Sequence, residues 1–161
     1  MVAGSFTRES TSTIPLERIW KAGILDAHNL IPKLLPNFIS SVDLVEGDGG
    51  VGTIKRFNFT DVVKEFRFAT DKTVVLDNEK YVVKQDVLEG GLIGLRLKSY
   101  SFLLQFEVGS NGETVGRTTV EYDTLDDTPL SAEEQEQLMI GLNLMIQAVE
   151  GYLQANPTAY V

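Results

Sequence analysis

Gly47, Gly49 and Gly52 stand at the spacing G-x-G-x-x-G, and Gly47-x4-Gly52 also imitates a phosphate-binding loop. Either pattern holds a phosphate only where the loop opens a helix, whose N-terminal N–H groups and dipole meet the negative charge. Here residues 53–59, Thr-Ile-Lys-Arg-Phe-Asn-Phe, have the composition of a strand. Thr53 occupies the position a phosphate-binding Lys would need, and Glu46 and Asp48 repel an anion. The stretch therefore reads as a turn between antiparallel strands, with Gly47, Gly49, Gly50 and Gly52 providing its backbone freedom. His28 is the single histidine and cysteine is absent, which excludes a histidine-based triad, thiolate metal sites and thiol catalysis. No metal and no cofactor is expected, and no catalytic set is assigned. Lys55 is the one lysine that alternation turns inward. A desolvated lysine can serve as a base or Schiff-base nucleophile, and Asp61 near the end of the same strand is a candidate salt-bridge partner.

The chain has 23 acidic and 14 basic residues, a net charge of −9, and its basic residues are scattered. Nucleic-acid affinity depends on clustered Lys and Arg displacing counterions, so no nucleic-acid partner is expected. No apolar run approaches the ~20 residues of a membrane span, and the N-terminal residues lack an apolar signal core; no membrane partner is expected. The length predicts a single domain over residues 1–161 with room for a substantial core.

These residues must be positioned by an ordered set of elements. Residues 5–12 read as a strand, after which Pro15 can enter the first turn of a helix. Leu16, Ile19, Trp20 and Ile24 recur at helical spacing, and a second short piece carries Leu30, Ile31, Leu34 and Leu35, with Pro32 inside it and Pro36 ending it. Two short helices in a V are predicted. Strand patterns follow at residues 38–46, 53–59, 65–70, 81–88, 95–108 and 113–123, separated by turn signals of which Asn111-Gly112 is the strongest. Ser131-Ala132-Glu133-Glu134 then forms a capping box, and Leu138, Met139, Leu142, Met145, Ile146, Val149 and Leu153 continue as a helix to Asn156-Pro157. The predicted fold class is α+β: a curved antiparallel sheet gripping one long helix, with the short helices closing an end.

Residues 46–55, together with Ile14-Pro15, Glu89-Gly90-Gly91 and the closing run from Ala148 to Pro157, resemble the plant pathogenesis-related class 10 proteins, the birch-pollen-allergen family. The similarity runs in order from about Ser10 to Val161. It implies the helix-grip, START-like fold: a seven-stranded sheet, two short helices and a long C-terminal helix around a large cavity. It further implies a cytoplasmic plant protein of defence and stress responses that carries apolar or amphipathic small molecules, including phytohormones. It places His28 near the cavity mouth. Ribonuclease activity in the family is attributed to the glycine loop and to acidic and tyrosine positions; of the latter, Glu150 and Tyr152 match here while Lys98 replaces an acid. Relatives that condense amines with aldehydes use an inward Lys, and hormone receptors of the fold use a gate loop that residues 74–79 do not match.

Alternation provides a separate view of the interior. Tyr100, Phe102, Leu104 and Phe106 share one face of their strand, as do Lys55, Phe57 and Phe59, and Tyr81, Val83, Gln85 and Val87. Phe66 and Phe68 are assigned to the same side, with Thr118, Val120 and Tyr122 from the last strand. An apolar face interrupted by polar groups fits either a packed core whose tyrosines reach its rim or a ligand pocket. The resemblance implies the pocket. Its expected wall is Phe57, Phe59, Phe68, Tyr81, Val83, Tyr100, Phe102, Met139, Leu142 and Met145, with Lys55, Gln85 and Tyr122 orienting the ligand's polar groups. The expected partner is a small molecule bound by a monomer or weak dimer; the alternatives are a condensation enzyme and a weak ribonuclease.

Overall fold

Seven strands form in the computed structural model, which describes residues 1–161: β1 (Ala3–Ser12), β2 (Ile39–Glu46), β3 (Ile54–Phe59), β4 (Phe68–Asp77), β5 (Val82–Gly90), β6 (Leu97–Val108) and β7 (Thr114–Thr124). They make one antiparallel sheet in the order β1-β7-β6-β5-β4-β3-β2. Consecutive strands from β2 to β7 are neighbours, so short turns suffice, and only the segment after β1 travels from one sheet edge to the other. That segment contains α1 (Leu16–Ile19) and α2 (Ala27–Leu34). Between them, Trp20–Leu25 winds as a π-helical turn, with the Asp26 N–H donating to the Lys21 carbonyl at 3.0 Å. Apolar spacing foretold two helices here but not the widened turn joining them.

The turn chemistry explains the hairpins. Gly109 N–H donates to the Glu113 carbonyl at 2.7 Å across the Asn111-Gly112 turn. In the glycine-rich loop, Gly47 has φ +89°, and a Cβ there would lie 2.7 Å from Thr53 Cα, so no larger residue fits without a shift. Three of the loop's donors are occupied: Gly49 N–H by Thr53 Oγ1, Gly50 N–H by Asp48 Oδ1, and Gly52 N–H by the Thr73 carbonyl of β4. β3 rather than a helix follows, so the phosphate patterns have no phosphate site.

The long helix α3 (Ala132–Ala155) starts on the expected capping box: Glu134 N–H donates to Ser131 Oγ, and Ser131 N–H to Glu134 Oε1, both at 3.1 Å. At its other end Arg18 donates to the carbonyls of Leu153, Asn156 and Ala159, while Tyr160 Oη donates to Asp26. These bonds satisfy helix-end carbonyls and dock the C-terminal residues on the short helices.

The buried core is divided. One cluster joins the short helices and β2 to the C-terminal half of α3 through Ile14, Ala22, Leu30, Ile31, Ile39, Val149 and Leu153. A second packs Phe6, Leu97, Tyr100, Val120, Tyr122 and Leu130 against Met139 near the start of α3. A third joins Leu16 and Trp20 to Val83 and Leu104. The backbone of α3 closes on the short helices but stands off from the sheet. Apolar side chains thus pack at the ends of the helix and leave its middle facing a space.

Candidate functional site: an internal cavity

That space is a cavity of about 950 Å³. Hydrophobic residues provide 26 of its 45 lining positions, so its surface resembles neither a water channel nor a polar active-site cleft. The strands contribute Lys55, Phe57 and Phe59 from β3, Ala69 and Asp71 from β4, Val83, Gln85 and Val87 from β5, Tyr100, Phe102, Leu104 and Phe106 from β6, and Thr118 from β7. Each set keeps the two-residue period that sends alternate side chains to one face. Helix α3 contributes Leu138, Leu142, Met145 and Val149. Gly23, Ile24, Ala27 and Ile31 close the end formed by the short helices.

The cavity reaches the surface between the β3–β4 connection and α3. Val62 and Glu65 on one side, and Ile140, Leu144 and Gln147 on the other, line it while remaining exposed. Phe59 lies 5.6 Å from Phe38 and 5.4 Å from Phe66 between ring centroids, an aromatic group at this mouth.

Nine of the residues expected at a ligand wall meet here: Lys55, Phe57, Phe59, Val83, Gln85, Tyr100, Phe102, Leu142 and Met145. Four others lie elsewhere. β4 begins at Phe68, not at Glu65, and Phe68 faces outward beneath the Arg56 guanidinium, 4.1 Å from its ring centre. Tyr81 has φ +56° in the β4–β5 turn and packs edge-on against Trp20 at 5.5 Å, outside the cavity wall. Tyr122 and Met139 do point to the concave side, but Leu130 and Phe6 pack with them into solid core. His28 is half-buried in α2, whose neighbouring Ala27 and Ile31 face the cavity instead. Gly47, Gly49, Gly50 and Gly52 also lie off the wall.

The pairing expected for Lys55 is replaced as well. Asp61 forms an exposed ion pair with Arg67 at 3.2 Å. Directly opposite Lys55 in the β3–β4 register is Asp71, which the sequence reading did not single out because its strand stopped at Thr70. Continuing the alternation inward from Ala69 would have found it. Lys55 is 6% exposed, and Asp71 Oδ1 is enclosed without a hydrogen-bond partner. Burial pushes the Asp71 carboxyl up to about 6, with the Lys55 charge pulling the other way. Gln85 Oε1 accepts from Thr73 Oγ1 at 2.8 Å, and Tyr100 Oη accepts from the Leu92 N–H at 3.2 Å. Burial first, and the neighbouring Asp71 charge after it, raise the Tyr100 phenol despite the bond from Leu92. Within the chamber, Lys55, Asp71, Gln85 and Tyr100 thus form a polar patch on strands β3 to β6.

Arg96 and Glu134 border the chamber near the start of α3, joined at 2.7 Å. The hydrogen bond from Arg96, aided by the Ser131 N–H, lowers the Glu134 carboxyl to about 2. This pair anchors the helix to the β5–β6 connection. The positions tied to nuclease activity do not converge: Glu150 lines the cavity, Tyr152 meets Tyr160 edge-on, and Lys98 is exposed on β6.

A seven-stranded sheet curled about a long helix, with a chamber between them, defines a helix-grip protein. The chain belongs to the pathogenesis-related protein Bet v 1 family, whose profile matches residues 1–156. It is 36% identical over the full length of both chains to "Pathogenesis-related protein 1" of Asparagus officinalis. It is 33% identical to the major pollen allergen Bet v 1-M/N of Betula pendula, over 97% of each chain. Among solved structures, Ara h 8.0201 superposes with a TM-score of 0.85 at 29% identity, covering 96% of this chain and 100% of that one. Norcoclaurine synthase from Thalictrum flavum shares the fold, with a TM-score of 0.79 at 22% identity over 95% of this chain and 87% of that one. No helix is long and apolar enough to cross a membrane.

Proposed function

We propose that this protein binds, stores and carries apolar or amphipathic small molecules in its cavity, such as a phytohormone, a flavonoid or a related plant metabolite. In this reading it works in the cytoplasm, as a monomer or weak dimer, within a defence or stress response. The observation that carries the reading is the chamber of about 950 Å³ inside a chain of 161 residues. Protein interiors are packed to crystal-like density with few voids larger than a water, whereas small-molecule sites commonly enclose about 300–1,000 Å³. Phe57, Phe59, Val83, Phe102, Leu142 and Met145 offer apolar contact, while Lys55, Gln85 and Tyr100 offer polar groups to orient a ligand. Family membership supports the same reading. So does norcoclaurine synthase, a protein of this fold that has been crystallised with dopamine and hydroxybenzaldehyde.

The test is a titration with an apolar fluorescent dye followed by displacement with a metabolite panel. Dye fluorescence is the suitable signal because Trp20 lies off the cavity wall. Saturable binding is expected, lost in Phe102→Asp and Leu142→Arg and kept in Asp48→Ala of the glycine-rich loop. Absence of saturable binding, or greater damage from the loop substitution, overturns the carrier reading.

The buried Lys55 facing Asp71 favours a second reading, catalysis of a condensation inside the chamber. Under it, Lys55→Met eliminates turnover of an amine–aldehyde pair while dye binding persists.

A further inference from the structure

The strongest feature the carrier reading leaves unused is Asp71. A carboxylate in an apolar chamber is costly unless its oxygens are bonded, and Asp71 Oδ1 has no partner in the protein. Asp71 lines the chamber, and its other oxygen, Oδ2, which accepts no bond from the protein and is not enclosed as Oδ1 is, is the acceptor within reach of whatever fills that space. Lys55 stands directly opposite on β3, buried, also lining the chamber, and without an acceptor from the protein. Residues opposed in antiparallel strands have Cβ atoms about 5 Å apart, so one ligand can address both heads. The remaining polar groups of the patch are partly committed, Gln85 to Thr73 and Tyr100 to the Leu92 N–H.

We propose that Asp71 and Lys55 form a recognition subsite for neutral aromatic ligands that carry both a hydroxyl and a carbonyl, the hydroxyl donating to Asp71 and the carbonyl accepting from Lys55. The inference rests on the carrier reading and names the ligand class it selects. Charge decides the class. The two heads carry opposite signs, so a cationic ligand meets Lys55 and an anionic ligand meets Asp71 at short range between largely apolar walls. A neutral donor–acceptor pair satisfies both heads without adding charge. The bonds are charge-assisted, which makes them stronger than neutral ones.

A consequence is proton linkage. The other ionisable groups on the chamber wall are Glu65 of the β3–β4 connection, Tyr100 of β6, Glu134 and Glu150 of α3, and Arg96, which is paired with Glu134. Arg96 holds Glu134 down at about 2, while burial pushes the Asp71 carboxyl up to about 6. A donor bound to its oxygen favours the ionised form, so binding releases protons near that pH and tightens as pH rises through it.

The test compares 2-acetylnaphthalene with 6-acetyl-2-naphthol, two probes that differ by one hydroxyl, by titration calorimetry from pH 5 to 7.5. At pH 7.5 the wild type is expected to bind the naphthol roughly tenfold more tightly, the size of one hydrogen bond to a charged group. That advantage shrinks toward pH 5. Asp71→Leu removes it, Asp71→Asn removes its pH dependence, and Lys55→Met weakens both ketones alike; circular dichroism checks that each variant is folded. Equal affinities in the wild type, or an advantage that survives in Asp71→Leu, overturn the subsite while leaving the carrier reading standing. Failure of both ketones to bind the wild type overturns the subsite alone if the apolar dye still binds saturably, and overturns the two together if it does not.

Discussion

Replacing one leucine by alanine at two places on α3 separates an open chamber from a packed core. Leu153 is fully buried among Ile14, Ala22, Ile39 and Val149. Leu142 lies on the same helix, but part of its surface faces the chamber. Truncating Leu153 removes about three buried carbons, a transfer loss of about 2.4 kcal/mol at ~0.8 kcal/mol each. It also leaves a new void of about 80 Å³, adding about 2 kcal/mol at ~24 cal/mol per Å³. The expected cost is about 4.4 kcal/mol, within the measured span of roughly 2.7–5.0 for buried leucines. At Leu142 the lost volume merges with existing space, so no new void forms. With about half the side chain packed against protein, the loss is about 1.2 kcal/mol. Urea denaturation of ligand-free protein at 25 °C measures both. With an m-value of about 2 kcal/mol/M, the midpoints should fall by about 2 M for Leu153→Ala and about 0.6 M for Leu142→Ala. Equal losses at the two positions would refute an open chamber, because Leu142 would then be packed as tightly as Leu153.

Three further outcomes follow from the same contacts. Glu134, held at about 2 by Arg96 and the Ser131 N–H, has a depressed folded value, so its stabilisation is present above the ordinary value near 4.5 and is lost as pH falls toward 2. Glu134→Gln should therefore lower stability at pH 7 by about 1 kcal/mol and flatten the acid limb between those values; parallel curves for variant and wild type would contradict this. Asp71 has the opposite sign: its raised value of about 6 means stability falls as pH climbs from about 4 to 6, so Asp71→Asn should be the more stable protein above pH 6, by on the order of 2 kcal/mol, in thermal melts run across that range. Gly91 has φ +53°, and a Cβ on it would collide with Tyr100 Oη; Gly91→Ala should lower Tm by roughly 4 °C or more and weaken dye binding by moving the Tyr100 ring.

The fold was legible in the sequence because period-two alternation, turn residues and a capping box agreed over nearly the whole chain. The site was legible wherever alternation ran unbroken along a strand. Lys55, Phe57 and Phe59 follow β3 without interruption, and the inward residues of β6 from Tyr100 to Phe106 do likewise. Phe68 failed for a local reason. A strand begun at residue 65 puts Phe66 and Phe68 on one face, but the chain before Phe68 is a connection whose Phe66 turns in against Phe59 while Phe68 covers the outside under Arg56. Tyr81 failed because a positive φ in a turn breaks alternation. Tyr122 and Met139 point inward as read, yet only three-dimensional packing distinguishes solid core from chamber wall along one apolar face. Asp71 went unread because Asp is unfavourable inside a strand, and its place opposite Lys55 appears only once β3 and β4 are paired.

The central claim, that the chamber holds a small molecule, is tested most directly by native mass spectrometry of the protein isolated from its source tissue, compared with the same sample denatured. A defined small mass is expected that disappears on denaturation and does not accompany the Phe102→Asp protein. A spectrum of bare polypeptide, together with no saturable dye binding and no displacement across a metabolite panel, would contradict it.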